Sequence, residues 1–453
     1  MRPTLEIFLG ATHVGTITNL TTDHNVFTFD EDYLTDPSRP VLSSGFNNTK
    51  GEIRKKLRVP HVRLLPFFAN LLPEGHLRAY LAQQARVDPK RDFPLLWLLG
   101  EDLPGAVIAR HADDAVLPEE ARREIVTASI ERDPKVLKFS LAGVQLKFSA
   151  VRETEGAFAI PVHGKGGTWI AKMPSSTYPY VPENEHTMLS FARHLGIEVP
   201  EVGLINAADI ANMPPQVRTD LGDALYIKRF DRAGEQRIHI EDFAQIFGLY
   251  PTHRDKYERA SVANILEFLW RATSHDQVEE FVRRLVFSIG IGNGDMHVKN
   301  WTVIYRDART PRLAPAYDYV STIVYMPNDD VGLSIARTKN YENIDLERME
   351  RLARRAGVPR GLVLKATRDM IERINTEWTH LNGDGLLPQR MVEQITAHRD
   401  RVPLFRGRAA HPVDVELSAG AGGGGAADAG AAPLVRAPGE FVRSGLARRY
   451  AVA

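Results

Sequence analysis

The chain has 453 residues, 43% hydrophobic and 25% charged, with Lys+Arg and Asp+Glu both at 57 and a formal net charge of +0. That length predicts about two or three domains, and the charge balance argues against attraction of the whole chain to nucleic acid. The absence of cysteine excludes disulfides, thiolate metal sites and thiol nucleophiles and fits a reducing cytoplasm, while the lack of an apolar run of about 18 residues predicts no transmembrane helix and no membrane partner.

Near the N-terminus, Glu6 interrupts what would be a signal-peptide core, so no secretion signal is expected. Leu5-Glu6-Ile7-Phe8-Leu9, Gly10 and Val14-Gly15-Thr16-Ile17 predict a hairpin, and Val26-Phe27-Thr28-Phe29 a third strand, with alternation suited to a half-buried sheet. Residues 54–63 are basic (Arg54, Lys55, Lys56, Arg58, Arg63) and read either as a solvated face or as a phosphate-contacting surface. Helices are expected near 64–88, containing or interrupted by Leu72-Pro73-Glu74-Gly75, and near 93–100, before Gly100 and Pro104-Gly105 punctuate the chain.

A charged connector follows at 111–134. Strands are expected at 145–152, 157–163, 168–173 and 224–230, with one helix at about 183–195 that places Met188, Leu189, Phe191, Ala192 and Leu195 largely on one face and stops at Gly196. From 231 to about 405 the pattern is mostly helical, broken by strands near 301–305 and 312–316. A strand-rich lobe followed by a helical lobe leaves a cleft where a ligand can bind. The Gly/Ala-rich stretch after 410 has too little apolar surface to offset ordering entropy, which predicts a disordered tail over 410–453.

Four segments carry chemistry. In Phe139-Ser140-Leu141-Ala142-Gly143-Val144-Gln145-Leu146-Lys147, the small Ala142 and Gly143 would let backbone amides approach a phosphate. The segment is not a Walker A loop, and it reads equally as a turn into a strand. Lys172 closes an apolar strand and can reach phosphates as a point charge. Glu185 on the next helix is placed to pair with it, or simply to favour the helix N-terminus. Lys228-Arg229-Phe230 follows a strand and can serve as a hinge whose backbone meets an adenine edge, or as the charged exit of a core strand.

The last segment is Gly294-Asp295-Met296-His297-Val298-Lys299-Asn300, followed by Ala316-Tyr317-Asp318. One Asp orienting a hydroxyl nucleophile, with an Asn and a second Asp as hard oxygen ligands for Mg²⁺, is what phosphoryl transfer needs. Asp295 takes the first role, Asn300 and Asp318 the second, with His297 and Lys299 between them. Read alone, Gly292-Asn293-Gly294-Asp295 is also a plausible helix-to-strand turn. A zinc hydrolase is disfavoured because no His-Glu-x-x-His occurs.

Taken together, the chain resembles the HipA-family serine/threonine protein kinases, toxins of bacterial type II toxin–antitoxin modules. The matching stretches run in the family's order over roughly residues 1–400: Val14-Gly15-Thr16, Asn70-Leu71-Leu72-Pro73-Glu74, Gly105-Ala106-Val107, Ser140 to Lys147, Lys172, Asn184-Glu185, Arg229-Phe230-Asp231-Arg232, Glu241-Asp242, Asp295 to Asn300 and Tyr317-Asp318. The resemblance implies an α+β, bilobal protein-kinase-like fold. Its divisions would be an N-terminal subdomain (1–110), a connector (111–134), the N-lobe core (135–230), a helical C-lobe (231–409) and the tail.

The resemblance also implies ATP and Mg²⁺ as cofactors and a cytoplasmic location. Ala142, Gly143, Val144, Gln145, Leu146 and Lys147 would form the phosphate loop. Lys172, Lys228, Arg229, Phe230, His297, Lys299, Asn300 and Tyr317 would complete the nucleotide site, with Glu185 pairing Lys172. Asp295 would be the catalytic base, Asn300 and Asp318 the metal ligands, and Ser140 the autophosphorylated residue that switches the kinase off. A small helix-turn-helix antitoxin is the implied partner and, through it, operator DNA; an aminoacyl-tRNA synthetase is among the family's protein substrates. Two departures stand out: Leu146 precedes the loop lysine where a polar residue is common, and Met296 follows Asp295. Ser149 is a second phosphosite candidate. A small-molecule kinase of the aminoglycoside or choline type shares the Asp-x-x-x-x-Asn layout, and a non-catalytic co-repressor is the third reading.

Overall fold

The computed structural model describes residues 2–21, 24–47, 52–53, 63–85, 87–112, 146–152, 158–160, 166–214 and 217–406. Ser140, Ala142, Gly143, Val144, Gln145, most of the connector, the tail and all but Arg63 of the basic stretch lie outside the described residues.

The chain begins with an antiparallel sheet of β1 (Thr4–Leu9), β2 (Thr12–Thr21), β3 (His24–Phe29) and β4 (Val107–His111), in the order β3-β2-β1-β4. The hairpin and third strand are as expected, and β4 returns from beyond the first helices to pair with β1. Leu5, Ile7 and Leu9 alternate inward and are buried, which the period of two requires. Gly15 sits where a Cβ would meet the Thr28 carbonyl oxygen at 2.1 Å, so no other residue fits there without moving β3.

After α1 (Glu31–Thr35) come α2 (Pro66–Ala69), α3 (Gly75–Ala85) and α4 (Asp92–Leu99). The helix expected over 64–88 is thus two helices. Pro73 has no N–H to continue the ladder, and residues 70–74 separate the two helices. Leu77 and Leu81 of α3 and Leu99 of α4 belong to the core of a second sheet, so the N-terminal unit is fused to that sheet.

The second sheet is antiparallel, β6-β5-β7-β9-β8, built from β5 (Lys147–Arg152), β6 (Phe158–Ala159), β7 (Trp169–Lys172), β8 (Val202–Asn206) and β9 (Asp223–Lys228). Strand β8 escaped the sequence reading. It is an edge strand carrying Gly203, over which the Tyr226 ring lies so close that a Cβ would meet its hydroxyl at 2.1 Å. Between β7 and β8 runs α5 (Val181–His194). Its residues 185, 188, 189 and 192 recur at helical spacing and are all buried. Gly196, at φ +83°, follows its end as expected.

The ribbon β10 (Arg232–Ala233) and β11 (Gln236–Arg237) leads to a small sheet of β12 (His239–Asp242), β13 (Thr302–Tyr305) and β14 (Arg312–Leu313). The remainder is helical: α6 (Phe243–Phe247), α7 (His253–Glu258), α8 (Val262–Ala272), α9 (His275–Gly290), α10 (Leu346–Ala356), α11 (Arg360–Glu377), α12 (Gln389–Arg401) and α13 (Pro403–Arg406). The nearly buried α9 centres the largest core cluster, with Phe281, Leu285 and Ile289 fully enclosed. The arrangement is bilobal and α+β. No helix among the described residues is long and apolar enough to cross a membrane.

Candidate active site

A cavity of about 370 Å³ lies between the second sheet and the helical lobe. Its lining draws on all three parts of the chain: Asn70 and Glu74 from the N-terminal unit, Lys147 and Lys172 from the sheet, and Asp295 and Asp318 from the helical lobe.

Lys172 closes β7, and its ammonium donates to Glu185 Oε1 at 2.6 Å and to the Asp318 carboxylate. Glu185 is buried, while the Asp318 side chain keeps 28% of its exposure, toward the cavity. Burial pulls the lysine pKa down, but Asp318 and Glu185 more than reverse this and hold it above the ordinary value. Burial likewise pushes Asp318 up, and the ammoniums of Lys172 and Lys147 outweigh it, leaving the carboxyl at about 2. For Glu185, burial wins over Lys172 and the pKa is raised. Lys147 pairs with Lys172 across β5 and β7. Desolvation lowers it to about 8, Asp318 opposing and Lys172 adding to the fall.

The loop that carries Asp318 is fixed on two sides. Asn184, next to Glu185 on α5, donates to the Ser321 carbonyl at 3.1 Å and accepts from the Ser321 amide at 2.9 Å. Asn293 donates to the Asp318 carbonyl at 3.2 Å. These bonds hold Asp318 at φ +55°, a left-handed conformation that costs a non-glycine residue about 1–3 kcal/mol and concentrates at functional sites.

Asp295 follows the turn after α9. Its amide donates to Asn293 Oδ1 at 3.0 Å, and its carbonyl accepts from Asn300 Nδ2 at 2.8 Å. Its carboxylate is half exposed, receives the hydroxyl of Tyr257 on α7, and lies 3.9 Å from His297 Nε2. Burial lowers the His297 pKa, which keeps its imidazole neutral near pH 7.

Not every expected residue turns its charge to the cavity. Lys299 lines it, but its ammonium lies 2.9 Å from Glu74 Oε1 and 3.6 Å from Asp242 Oδ2, and donates to the Asn70 carbonyl and Oδ1 at 3.1 and 3.0 Å. Lys228 points outward to Glu201 at 3.5 Å. Arg229 is buried in a clamp: its Nε and Nη2 donate to Asp231 at 3.0 and 2.8 Å, and Asp231 also accepts from Arg232 at 2.7 Å and from the Gly105 amide at 2.8 Å. This cluster ties the β9 exit to the N-terminal unit. The amides of Lys228 and Arg229 donate to Glu201 and Thr168 carbonyls, both at 2.8 Å. Phe230 faces Tyr317 with ring centroids 5.7 Å apart, and the Tyr317 hydroxyl donates to the Lys299 carbonyl at 2.8 Å. Ser149 is fully buried and accepts from the Gly167 amide at 2.6 Å, which removes it as a phosphosite in the folded chain.

Tyr257 and Lys256 carry no signal in the sequence, and Asn70, Glu74 and Asp242 none beyond their place in a matching stretch. Their partners lie far along the chain, so no local pattern exposed them. The signal that was available is Glu74 beside a proline break between apolar helices, a carboxylate in a place that buries its neighbours.

Comparisons with known proteins agree with this architecture. The "HipA N-terminal domain" family matches residues 5–110 and the "HipA-like C-terminal domain" family residues 139–378. The chain is 43% identical to the Sinorhizobium fredii protein named "Putative kinase Y4dM", over 89% of this chain and 98% of that one. It is 26% identical to the "Serine/threonine-protein kinase toxin HipA" of Shewanella oneidensis, over 82% of this chain and 87% of the relative. The solved complex of Shewanella oneidensis HipA, HipB and its operator DNA contains a chain with the same fold, at TM-score 0.65 and 21% identity, covering 88% of this chain and 97% of that one. The bilobal, kinase-like α+β fold is therefore shared, and the chain belongs to the HipA family.

Proposed function

We propose that this chain is an ATP- and Mg²⁺-dependent serine/threonine protein kinase, the toxin of a two-component module, limited by its own phosphorylation at Ser140. One observation carries the reading: Lys172, Glu185, Asp295, Asn300 and Asp318, from four separate stretches of sequence, converge on one cavity. Lys147 and Lys172 would receive the phosphates. The Phe230 backbone would meet the adenine edge, since the Lys228 and Arg229 amides are already engaged.

The donor set suits a hard divalent cation. Asn300 spends its amide nitrogen on the Asp295 carbonyl, leaving its oxygen available, and Asp318 presents a carboxylate kept ionised by its two lysines. Mg²⁺ bound there would neutralise developing phosphate charge. Asp295 would accept the proton of the attacking hydroxyl, and the Tyr257 hydroxyl marks where that acceptor O–H would lie. The rest of the rate gain would be positioning and charge compensation. The toxin role and an antitoxin of the HipB kind, bound to operator DNA, are supported by the named Shewanella relative and by the composition of the solved complex.

The test is incubation of the purified chain with ATP and Mg²⁺, read by peptide mass spectrometry. A phosphate on Ser140 is expected in wild type and none in Asp295→Ala. Transfer to a small-molecule acceptor but never to protein would overturn the protein-kinase reading.

A further inference from the structure

Resting on the kinase reading above, we propose that Glu74, in the N-terminal unit, is a positioning residue for the catalytic loop. By fixing Lys299 and Lys256 it would set where Asn300 and Asp295 stand.

Glu74 is 7% exposed, at the break before α3. One carboxylate oxygen lies 2.9 Å from Lys299 Nζ and the other 3.0 Å from Lys256 Nζ. Asn70, one turn earlier, gives Lys299 its carbonyl and Oδ1 and is itself anchored to the Leu249 carbonyl through Nδ2 at 2.7 Å. Asp242 completes the set at 3.6 Å from Lys299. Two carboxylates and two ammoniums thus balance inside a nearly dry cluster, where an unmatched charge is costly.

Both lysines adjoin site residues. Lys299 precedes Asn300, and its carbonyl accepts from Tyr317, the neighbour of Asp318. Lys256 precedes Tyr257, whose hydroxyl reaches Asp295. One carboxylate from the N-terminal unit therefore fastens the metal-ligand side and the acceptor side of the same loop system. Without its charge, Lys256 loses its carboxylate and Lys299 keeps only Asp242 and the Asn70 oxygens, so that Lys299 can shift and carry Asn300 with it. Glu74 touches no reacting atom in this scheme. It acts as outer partners of metal ligands do, whose loss typically weakens metal affinity about 10- to 100-fold.

The test uses the full chain as wild type, Glu74→Gln, Asn70→Ala, and the charge-balanced Glu74→Gln/Lys256→Met. Transfer is measured against Mg²⁺ concentration, alongside hydrogen exchange of residues 292–300 and a urea midpoint. Expected for Glu74→Gln is a half-saturating Mg²⁺ raised about 10-fold or more with faster loop exchange. The double variant should recover most of the loss, and Asn70→Ala should show a smaller shift in the same direction. A folded Glu74→Gln with wild-type Mg²⁺ dependence and loop exchange overturns the proposal. So does a double variant no better than the single one. Should Glu74→Gln fail to fold, the Asn70→Ala shift decides. If wild type transfers no phosphate while Glu74→Gln still loosens the loop, the clamp stands and the kinase reading falls.

Discussion

Two buried lysines in this molecule have the same inventory and opposite circumstances. Lys172 is matched by Glu185 and Asp318, Lys299 by Glu74 and Asp242. Around Lys172 one carboxylate remains partly open to the cavity, so the phosphate and cation of the proposed reaction would rearrange the pair without exposing a bare charge. Around Lys299 the carboxylates are more enclosed, Glu74 at 9% and Asp242 at 12% side-chain exposure, and two of its partners, Glu74 and Asn70, come from the N-terminal unit. The first cluster is built to exchange partners and the second to hold still. Charge content alone does not separate a reacting site from a brace; the exposure of one carboxylate does.

Substitutions sharpen that difference. The largest effect is expected at Asp318→Ala, which should take phosphate transfer below detection while leaving the urea midpoint near wild type, because Glu185 still matches Lys172. Turnover near the wild-type rate would break the assignment of the open cluster. Next is Lys299→Met, which leaves Asp242 without its ammonium and Glu74 with Lys256 alone, and should cost about 3–5 kcal/mol of stability. Lys172→Met should cost less, because Asp318 keeps part of its exposure and can be hydrated; burial raises the pKa of Glu185 and of Asp242 alike, so either carboxyl can take a proton when its lysine is lost. Equal losses in urea titrations of the two variants would erase the distinction.

A smaller effect is expected from pH. The Lys147 pKa stands lowered from 10.5 to about 8, so its ammonium is present below pH 8 and lost above it. Triphosphate affinity should be flat below that point and fall by roughly tenfold per pH unit above it, a dependence that Lys147→Met should abolish. The stability contribution of the same group has the opposite sign. Between about 8 and 10.5 the unfolded chain holds the proton that the folded one has released, so this group's contribution rises with pH there. The smallest effect belongs to Tyr257→Phe, which removes one donor from Asp295 and should change turnover by about tenfold or less, in the range of a single hydrogen bond at a half-exposed carboxylate. A hundredfold loss would make Tyr257 part of the chemistry.

The two clusters also differ in how far the sequence exposed them. Asp295, Asn300 and Asp318 were legible because the chemistry dictates a short spacing and apolar flanks. Glu185 was legible because it lies near the start of the helix that follows the strand closed by Lys172. The hairpin of β1 and β2 followed from alternation alone. Glu74, Lys256 and Asp242 were not, because a buried ion pair closed across a long loop leaves no local period. Strand β12 was hidden for a similar reason: His-Ile-Glu-Asp reads as polar, yet His239 and Glu241 are buried by Leu42, Ser43 and Tyr305 from elsewhere. Arg229 read as part of a hinge whose backbone meets an adenine edge or as the charged exit of a core strand, and its guanidinium is claimed by Asp231, two residues on.

The measurement closest to the central claim is intact-mass and peptide mass spectrometry of the full chain after incubation with ATP and Mg²⁺, beside Asp295→Ala. The account predicts one added phosphate in wild type, mapped to Ser140, and none in the variant. ATP turnover with no phosphoprotein in either, or equal phosphorylation of both, would contradict it.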